Sequence, residues 1–225
     1  MNFLSKYDKV KIDKHTLNPT LTTIGNTKPI GICGSGIIDL ICQMILNGII
    51  DRRGKIHRDI NNERIRFNEH EIGEYVLAFK EEYNLENDIT VNEVDIDNFI
   101  KAKGAIYSGA SVLIESLGMD FSVIDKVYIA GGIGNNLNIE NSILIGLLPD
   151  IEREKFVYIG NSSLVGSYLA LVSEDAKNKL KDIGNEMTYV ELSVYPTYMD
   201  EFISACFLPH TNIEQFPTVR SILSE

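Results

Sequence analysis

The stretch that decides the fold is Val127-Tyr128-Ile129-Ala130-Gly131-Gly132-Ile133-Gly134-Asn135. Its first four residues read as an apolar strand, and that strand runs straight into paired glycines. Glycine has no Cβ, so a turn made of Gly131, Gly132 and Gly134 lets backbone approach a flat ligand closely. The plainer alternative is a tight strand-to-helix turn that simply needs glycine. The segment is not a Walker A loop, because the Gly-Lys-Ser/Thr ending is missing, and its glycines do not fall at the GxGxxG positions. A helix is expected from about Asn138 to Ile145. The pattern then recurs: Phe156-Val157-Tyr158-Ile159 runs into Gly160-Asn161-Ser162-Ser163, with a helix from Leu164 to Val172. Strand, small-residue turn and helix, repeated, signal parallel βαβ construction. Ligands in such sheets bind where strands end and turns begin.

A second glycine-rich turn lies upstream. Gly31-Ile32-Cys33-Gly34-Ser35-Gly36 opens a helix whose apolar face is Ile37, Leu40, Ile41, Met44 and Ile45, with Ser35 as expected N-cap and Asn47-Gly48 as its end. Free N–H groups at Gly34, Ser35 and Gly36 would make an anion site, or the turn is a plain cap. Before it, Val10 and Ile12 alternate with charged residues in a short strand, and Leu21 to Ile24 reads as the return strand. Asp51 to Asn62 reads as a surface loop, and Ile65–Phe67 with Tyr75–Phe79 as a hairpin.

Asn92, with Asp95 three positions on, starts a long helix that stops at Gly118, with Phe99, Ala102, Ile106, Leu113 and Leu117 expected along its buried side. Within it, Lys103 precedes the small-residue run Gly104 to Ala110, where another element can approach closely. A lysine there either reaches a phosphate or purine edge, or belongs to a solvated face. The tail reads as a strand over Thr188–Leu192 and a helix over Met199–Phe207. The four histidines have no metal-ligand spacing and read as structural or exposed.

Composition removes several classes. A formal net charge of −11 argues against a general nucleic-acid binder, which needs a basic face. It leaves room for a nucleotide held by backbone N–H groups. No run of about 18 apolar residues is present, so no membrane span is expected. The charged N-terminus does not read as a signal peptide, so the expected location is cytoplasmic. Cys33, Cys42 and Cys206 contain no CxxC pair and signal neither zinc nor an iron–sulfur cluster.

The Ala130-Gly131-Gly132 turn resembles the adenosine motif of the actin/sugar-kinase/Hsp70 ATPase superfamily. More specifically, GICGSGIIDL (31–40), AKGAI (102–106), IAGGIGN (129–135), IGLLP (145–149) and LPHT (208–211) occur in this order. Together they resemble the C-terminal part of the ATP-dependent reductive activators of corrinoid proteins. That resemblance implies an α/β, ribonuclease H-like lobe spanning residues 1–225, with a helical and hairpin insertion at about 50–110. It implies ATP or ADP with Mg²⁺ as ligand and a corrinoid protein as partner, restored from cobalt(II) to cobalt(I) for methyl transfer. Carried over, Gly131, Gly132 and Gly134 would lie against the adenosine, with Asn135 holding the turn. Lys103 would stand on the adenine-side helix, and Gly34, Ser35 and Gly36 near the phosphates. The family's [2Fe–2S] ferredoxin-like domain and its first phosphate loop, of the DxGTT type, have no counterpart in these 225 residues. The expectation is therefore nucleotide binding without efficient turnover. The other readings are a non-catalytic interaction or dimerisation module, with a homodimer covering exposed core, and a lobe of a small-molecule kinase of the same superfamily.

Overall fold

The computed structural model describes residues 6–23, 25, 27–132 and 134–224. Ile24 and Ile133 fall outside them. Strand β1 (Lys6–Ile12) pairs antiparallel with β2 (Pro19–Thr23) and parallel with the short β3 (Gly31–Ile32). Helix α1 (Gly34–Leu46) follows and packs on β1, burying Leu40, Ile41 and Met44 completely. It ends at Asn47, where the chain turns through Gly48 at φ +65°. The cap position falls on Cys33 rather than on the expected Ser35. Ser35 is already inside the first turn, buried, with its Oγ 3.1 Å from Cys33 Sγ.

The chain then builds an antiparallel sheet of β4 (Ile65–Phe67), β5 (Gly73–Ala78) and β6 (Ile89–Asn92), with the short helix α2 (Lys80–Tyr83) between the last two. The expected hairpin is its first pair, with Ile65 opposite Tyr75. Buried Arg64 ties this sheet to the first hairpin: its guanidinium donates to Asn18 Oδ1 (2.7 Å), Glu82 Oε1 (2.6 Å) and the Val76 carbonyl (3.2 Å).

Helix α3 (Glu93–Glu115) starts as its sequence dictates. Asn92 Oδ1 accepts the Val94 and Asp95 amides, and Asp95 accepts the Asn92 amide, a reciprocal capping box. Its buried side differs from the expected one. Ile96, Ile100, Lys103, Gly104, Tyr107, Ser108 and Val112 face inward, whereas Ile106 is 59% and Leu117 66% exposed. The cause is the close approach of α7 (Tyr198–Ala205). A Cβ on Gly104 would lie 3.1 Å from Cys206 Sγ and 3.3 Å from the Ala205 carbonyl oxygen, so the glycine must point at that helix.

Strands β7 (Val127–Ile129) and β8 (Phe156–Tyr158) pair parallel, joined through α4 (Ile139–Leu144). Helices α5 (Ser162–Val172) and α6 (Glu174–Glu186) lean on each other, and none of their residues is buried. No strand forms over Thr188–Leu192. Glu191 instead accepts the Ser193 amide and hydroxyl, a local turn that leads into a 3-10 turn at Leu192–Val194. A last helix, α8 (Pro217–Leu223), buries Val219. Neither α6 nor α8 is among the elements expected from the sequence.

Lys103, expected either to reach a ligand or to lie on a solvated face, is instead the best-buried cation of the described residues. Lys103 is 1% exposed, and its Nζ donates to the carbonyls of Phe207 (2.6 Å) and Pro209 (2.5 Å). Arg52 takes the alternate carbonyls: its Nε donates to Leu208 O at 3.0 Å and its guanidinium also donates to His210 O. Four successive carbonyls are thereby satisfied by two cations. Desolvation, helped by the nearby Arg52 charge, pulls the Lys103 ammonium down to about 7.

Lys103→Met leaves two carbonyls without their donor and is expected to lower unfolding free energy by about 3 kcal/mol, measured by urea denaturation. Unfolded lysine keeps its proton up to about pH 10.4. Between pH 7 and that value the unfolded chain therefore binds more protons, and stability rises with pH; the contribution is lost as pH falls through 7. Buried Cys42 works oppositely: its thiol is pushed from 9.0 to about 12, so stability falls above pH 9. The urea midpoint should rise from pH 7 to 9 in the parent chain, and by less in Lys103→Met.

Candidate functional site

The two parallel strands end side by side. Ile129 stands opposite Tyr158, the Ile159 amide donates to Ile129 O (3.0 Å), and the Gly131 amide donates to Gly160 O (2.7 Å). Each strand then turns on a glycine in the left-handed region, Gly131 at φ +93° and Gly160 at φ +68°. An L side chain at either position would be strained. The three glycines of the first turn are there for three different reasons. Gly131 supplies the backbone angle. Gly134 supplies room, because a Cβ there would meet Ile129 Cγ2 at 2.8 Å. Gly132 is required by neither: it is exposed, and a Cβ on it would meet nothing within 4 Å. The local fold therefore does not explain that glycine, and a ligand lying against it would. Asn135 belongs to the 3-10 turn Gly134–Asn136 that leads toward α4. Gly160-Asn161-Ser162 reads as a cap, with Asn161 Oδ1 accepting the Leu164 amide at 3.0 Å.

The second turn lies at the start of α1. Gly34 is exposed while Ser35 and Gly36 are buried, and Cys33 provides no side-chain cap, so the first-turn amides are not taken by a capping side chain. A groove of about 690 Å³ adjoins it, with Ile32 and Ile37 on one wall and Ile89, Val91 and Phe99 on the other. Helices α1 and α4 pack together, which joins the two glycine turns through the helices they open. Lys103 is not among these groups, since its ammonium is engaged with carbonyls of the 207–210 segment. Arg52, the other cation of that clamp, carries no sequence signal beyond its place in a polar loop.

A larger cleft of about 740 Å³ lies elsewhere, between the C-terminal half of α3 and residues 149–153, 201, 215 and 218. Glu115, Asp120, Asp150, Glu152 and Glu201 line it against the single cation Arg153, which is already paired with Glu140 and Asp150. Such a wall repels a polyphosphate. Just beneath it, His210 is 2% exposed, accepts the Asn212 amide at Nδ1 (3.1 Å), and faces Glu201 at 3.6 Å. Its ring packs against Tyr107 and Phe216.

An α/β lobe with a parallel pair ending in a Gly-Gly turn, and an antiparallel sheet between α1 and α3, is the architecture of an actin-like ATPase domain. The profile described as the C-terminal domain of RACo, the ASKHA domain, matches residues 7–220. This chain belongs to that family. Among its relatives, the corrinoid activation enzyme RamQ of Eubacterium limosum is 32% identical over 190 residues, covering 82% of this chain and 32% of RamQ. The "[Co(II) methylated amine-specific corrinoid protein] reductase" of Methanosarcina barkeri is 22% identical over 181 residues, 79% of this chain and 29% of that protein. A solved structure, a reductive activator for corrinoid, iron-sulfur protein, superposes with a TM-score of 0.88 at 47% identity, over 95% of this chain and 34% of its own. The chain thus spans about a third of the length of these relatives. Among the described residues no helix is long and apolar enough to cross a membrane.

The three glycines predict three outcomes in thermal unfolding. Gly132→Val should stay within about 0.5 kcal/mol of the parent. Gly134→Ala should lose about 1–3 kcal/mol to crowding against Ile129. Gly131→Ala should lose about 1–2 kcal/mol to its backbone angle. Equal losses at all three would remove the distinction drawn at Gly132.

Proposed function

We propose that this chain is the nucleotide-binding lobe of an ATP-dependent reductive activator, whose intact form returns a cobalt(II) corrinoid protein to cobalt(I) for methyl transfer. The observation that carries the reading is Gly132, exposed at the carboxyl edge of a parallel strand pair and unexplained by packing. Family membership and the names of the relatives, each an activator or reductase of a corrinoid protein, support the same assignment.

On this reading adenosine lies over the Gly131–Gly134 turn, where the missing side chain at Gly132 gives contact with backbone. The first-turn amides of α1 face the phosphates, where helix N–H groups favour negative charge without needing a cation. That suits an acidic chain whose Lys103 and Arg52 are spent on its own carbonyls. Mg²⁺ and an attacking water belong to phosphate loops of a second lobe. Phosphoryl transfer is mostly positioning and electrostatic stabilisation, so one lobe binds and does not turn over. Closure of two lobes around ATP is the switch, and ATP drives it only by its differential affinity for the closed form. Electrons come from a [2Fe–2S] domain of the intact activator, and the corrinoid cobalt is the substrate.

A protein-contact role for α5 has its own support. Leu164, Val165, Tyr168, Leu171 and Val172 are all exposed on one short helix, an apolar surface that a solvated helix does not need. It suits docking on another part of the activator, on the corrinoid protein or on a second copy.

Calorimetric titration of Mg-ADP and Mg-ATP into the chain tests the main reading. Saturable binding that Gly132→Val abolishes, with its fold intact, is the expected result. Binding that Gly132→Val leaves unchanged would remove adenosine from this turn. Metal-dependent hydrolysis by the chain alone at about 1 s⁻¹ or faster would contradict the single-lobe mechanism.

A further inference from the structure

A polar bridge crosses the contact between α1 and α4. Asn141 Nδ2 donates to Asp39 Oδ1 at 2.6 Å, and the Cys42 thiol donates to Asn141 Oδ1 at 3.2 Å. Asp39 and Cys42 stand three residues apart on α1, hence on one face, and Asn141 sits in the first turn of α4. A carboxylate only accepts, and the thiol remains a donor because burial, with the neighbouring Asp39 charge, pushes it up to about 12. Only one orientation of the Asn141 amide satisfies both partners. The residue is held from its own side as well, since its backbone N–H donates to the cap Asn138 at 3.1 Å.

The surrounding contact is apolar. Ile38 on α1 and Ile143 and Leu144 on α4 are buried members of one core. Apolar side chains fix a helix contact by volume and tolerate sliding, whereas a donor–acceptor chain permits one register. Each bridged helix is also the continuation of a glycine turn. Asp39 lies five residues beyond Gly34, about 8 Å along the axis at 1.5 Å per residue. Asn141 lies five residues beyond Asn136, the end of the Gly131–Asn136 turn.

We infer that the Asp39–Asn141–Cys42 bridge sets the spacing between the two glycine turns, so that Asp39 and Asn141 are positioning residues for the nucleotide site without contacting the nucleotide. The functional half of this inference rests on the nucleotide reading above; the structural half does not. Displacement of a binding group by about 1 Å is enough to matter at such a site.

Three variants test it: Asn141→Asp, which sets two carboxylates against each other; Asp39→Ala, which takes away the acceptor and leaves the Asn141 amide without its partner; and the reciprocal pair Asp39→Asn/Asn141→Asp. The reciprocal pair restores an amide donor facing a carboxylate, and the carboxylate on α4 still accepts from Cys42. The first readout is amide hydrogen exchange at residues 34–37 and 131–138 in the nucleotide-free chain. Each single variant is expected to speed exchange in both segments about tenfold, the size of one lost buried polar contact, and the reciprocal pair to return it to the parent rate. Mg-ADP affinity should fall about tenfold in the singles and recover in the pair. Unchanged exchange in the singles, or a pair no better than they are, overturns the inference. Should Asn141→Asp fail to fold, Asp39→Ala and the pair still give the comparison. A parent chain that binds no Mg-ADP would sink the nucleotide reading while leaving the exchange test decisive for the bridge.

Discussion

The fold turns on four consecutive carbonyl groups, Phe207 to His210, and on the two cations that take them in alternation. A segment of irregular backbone buried in a core must find donors for every carbonyl, because each orphan costs about 1–3 kcal/mol. No strand or helix supplies them here. Lys103 comes from the middle of α3 and Arg52 from the loop after α1, so the segment ties the long helix to the loop that follows the first one. The packing around it is correspondingly tight. A Cβ on Gly146 would sit 2.1 Å from the Pro209 carbonyl oxygen, which forces glycine where the chain leaves α4. Tyr107 and Phe216 pack beside His210 and close the cluster.

That constraint separates what holds the lobe together from what faces a ligand. The two cations of the clamp are used up internally, and the large cleft beside it is acidic. Two backbone features stay open: the Gly132 turn and the first turn of α1. On the proposed reading, a nucleotide would be recognised there by dipoles rather than by side-chain charge.

The sequence disclosed the elements whose signals are local. The Asn92/Asp95 capping box, the Gly118 stop of α3, and the two strand–glycine–helix units all depend on residues within a few positions of one another, and all form. The helix stop is a glycine in the left-handed region, at φ +70°. What stays hidden depends on distant partners. A lysine in a helix reads as solvated or ligand-seeking, and nothing near Lys103 announces that carbonyls a hundred residues downstream will bury it. The buried side of α3 is obscured for the same reason: Ile106 and Leu117 fit the period, but the demand that Gly104 meet α7 turns the helix away from them. At the site, the glycines are legible as a group, while their division into Gly131 for backbone angle, Gly134 for room and Gly132 for neither requires the positions of Ile129 and Gly160.

If backbone at two glycine turns binds the nucleotide, the amides of those turns must sense it. Amide chemical-shift mapping of the isotopically labelled chain, recorded as Mg-ADP is added, tests this most directly. The largest shifts are expected at Gly34–Gly36 and Gly131–Asn136, with Lys103 and the 207–210 segment nearly still. Shifts centred on the acidic cleft around Glu115, Asp150 and Glu201, with both glycine turns unmoved, would contradict it.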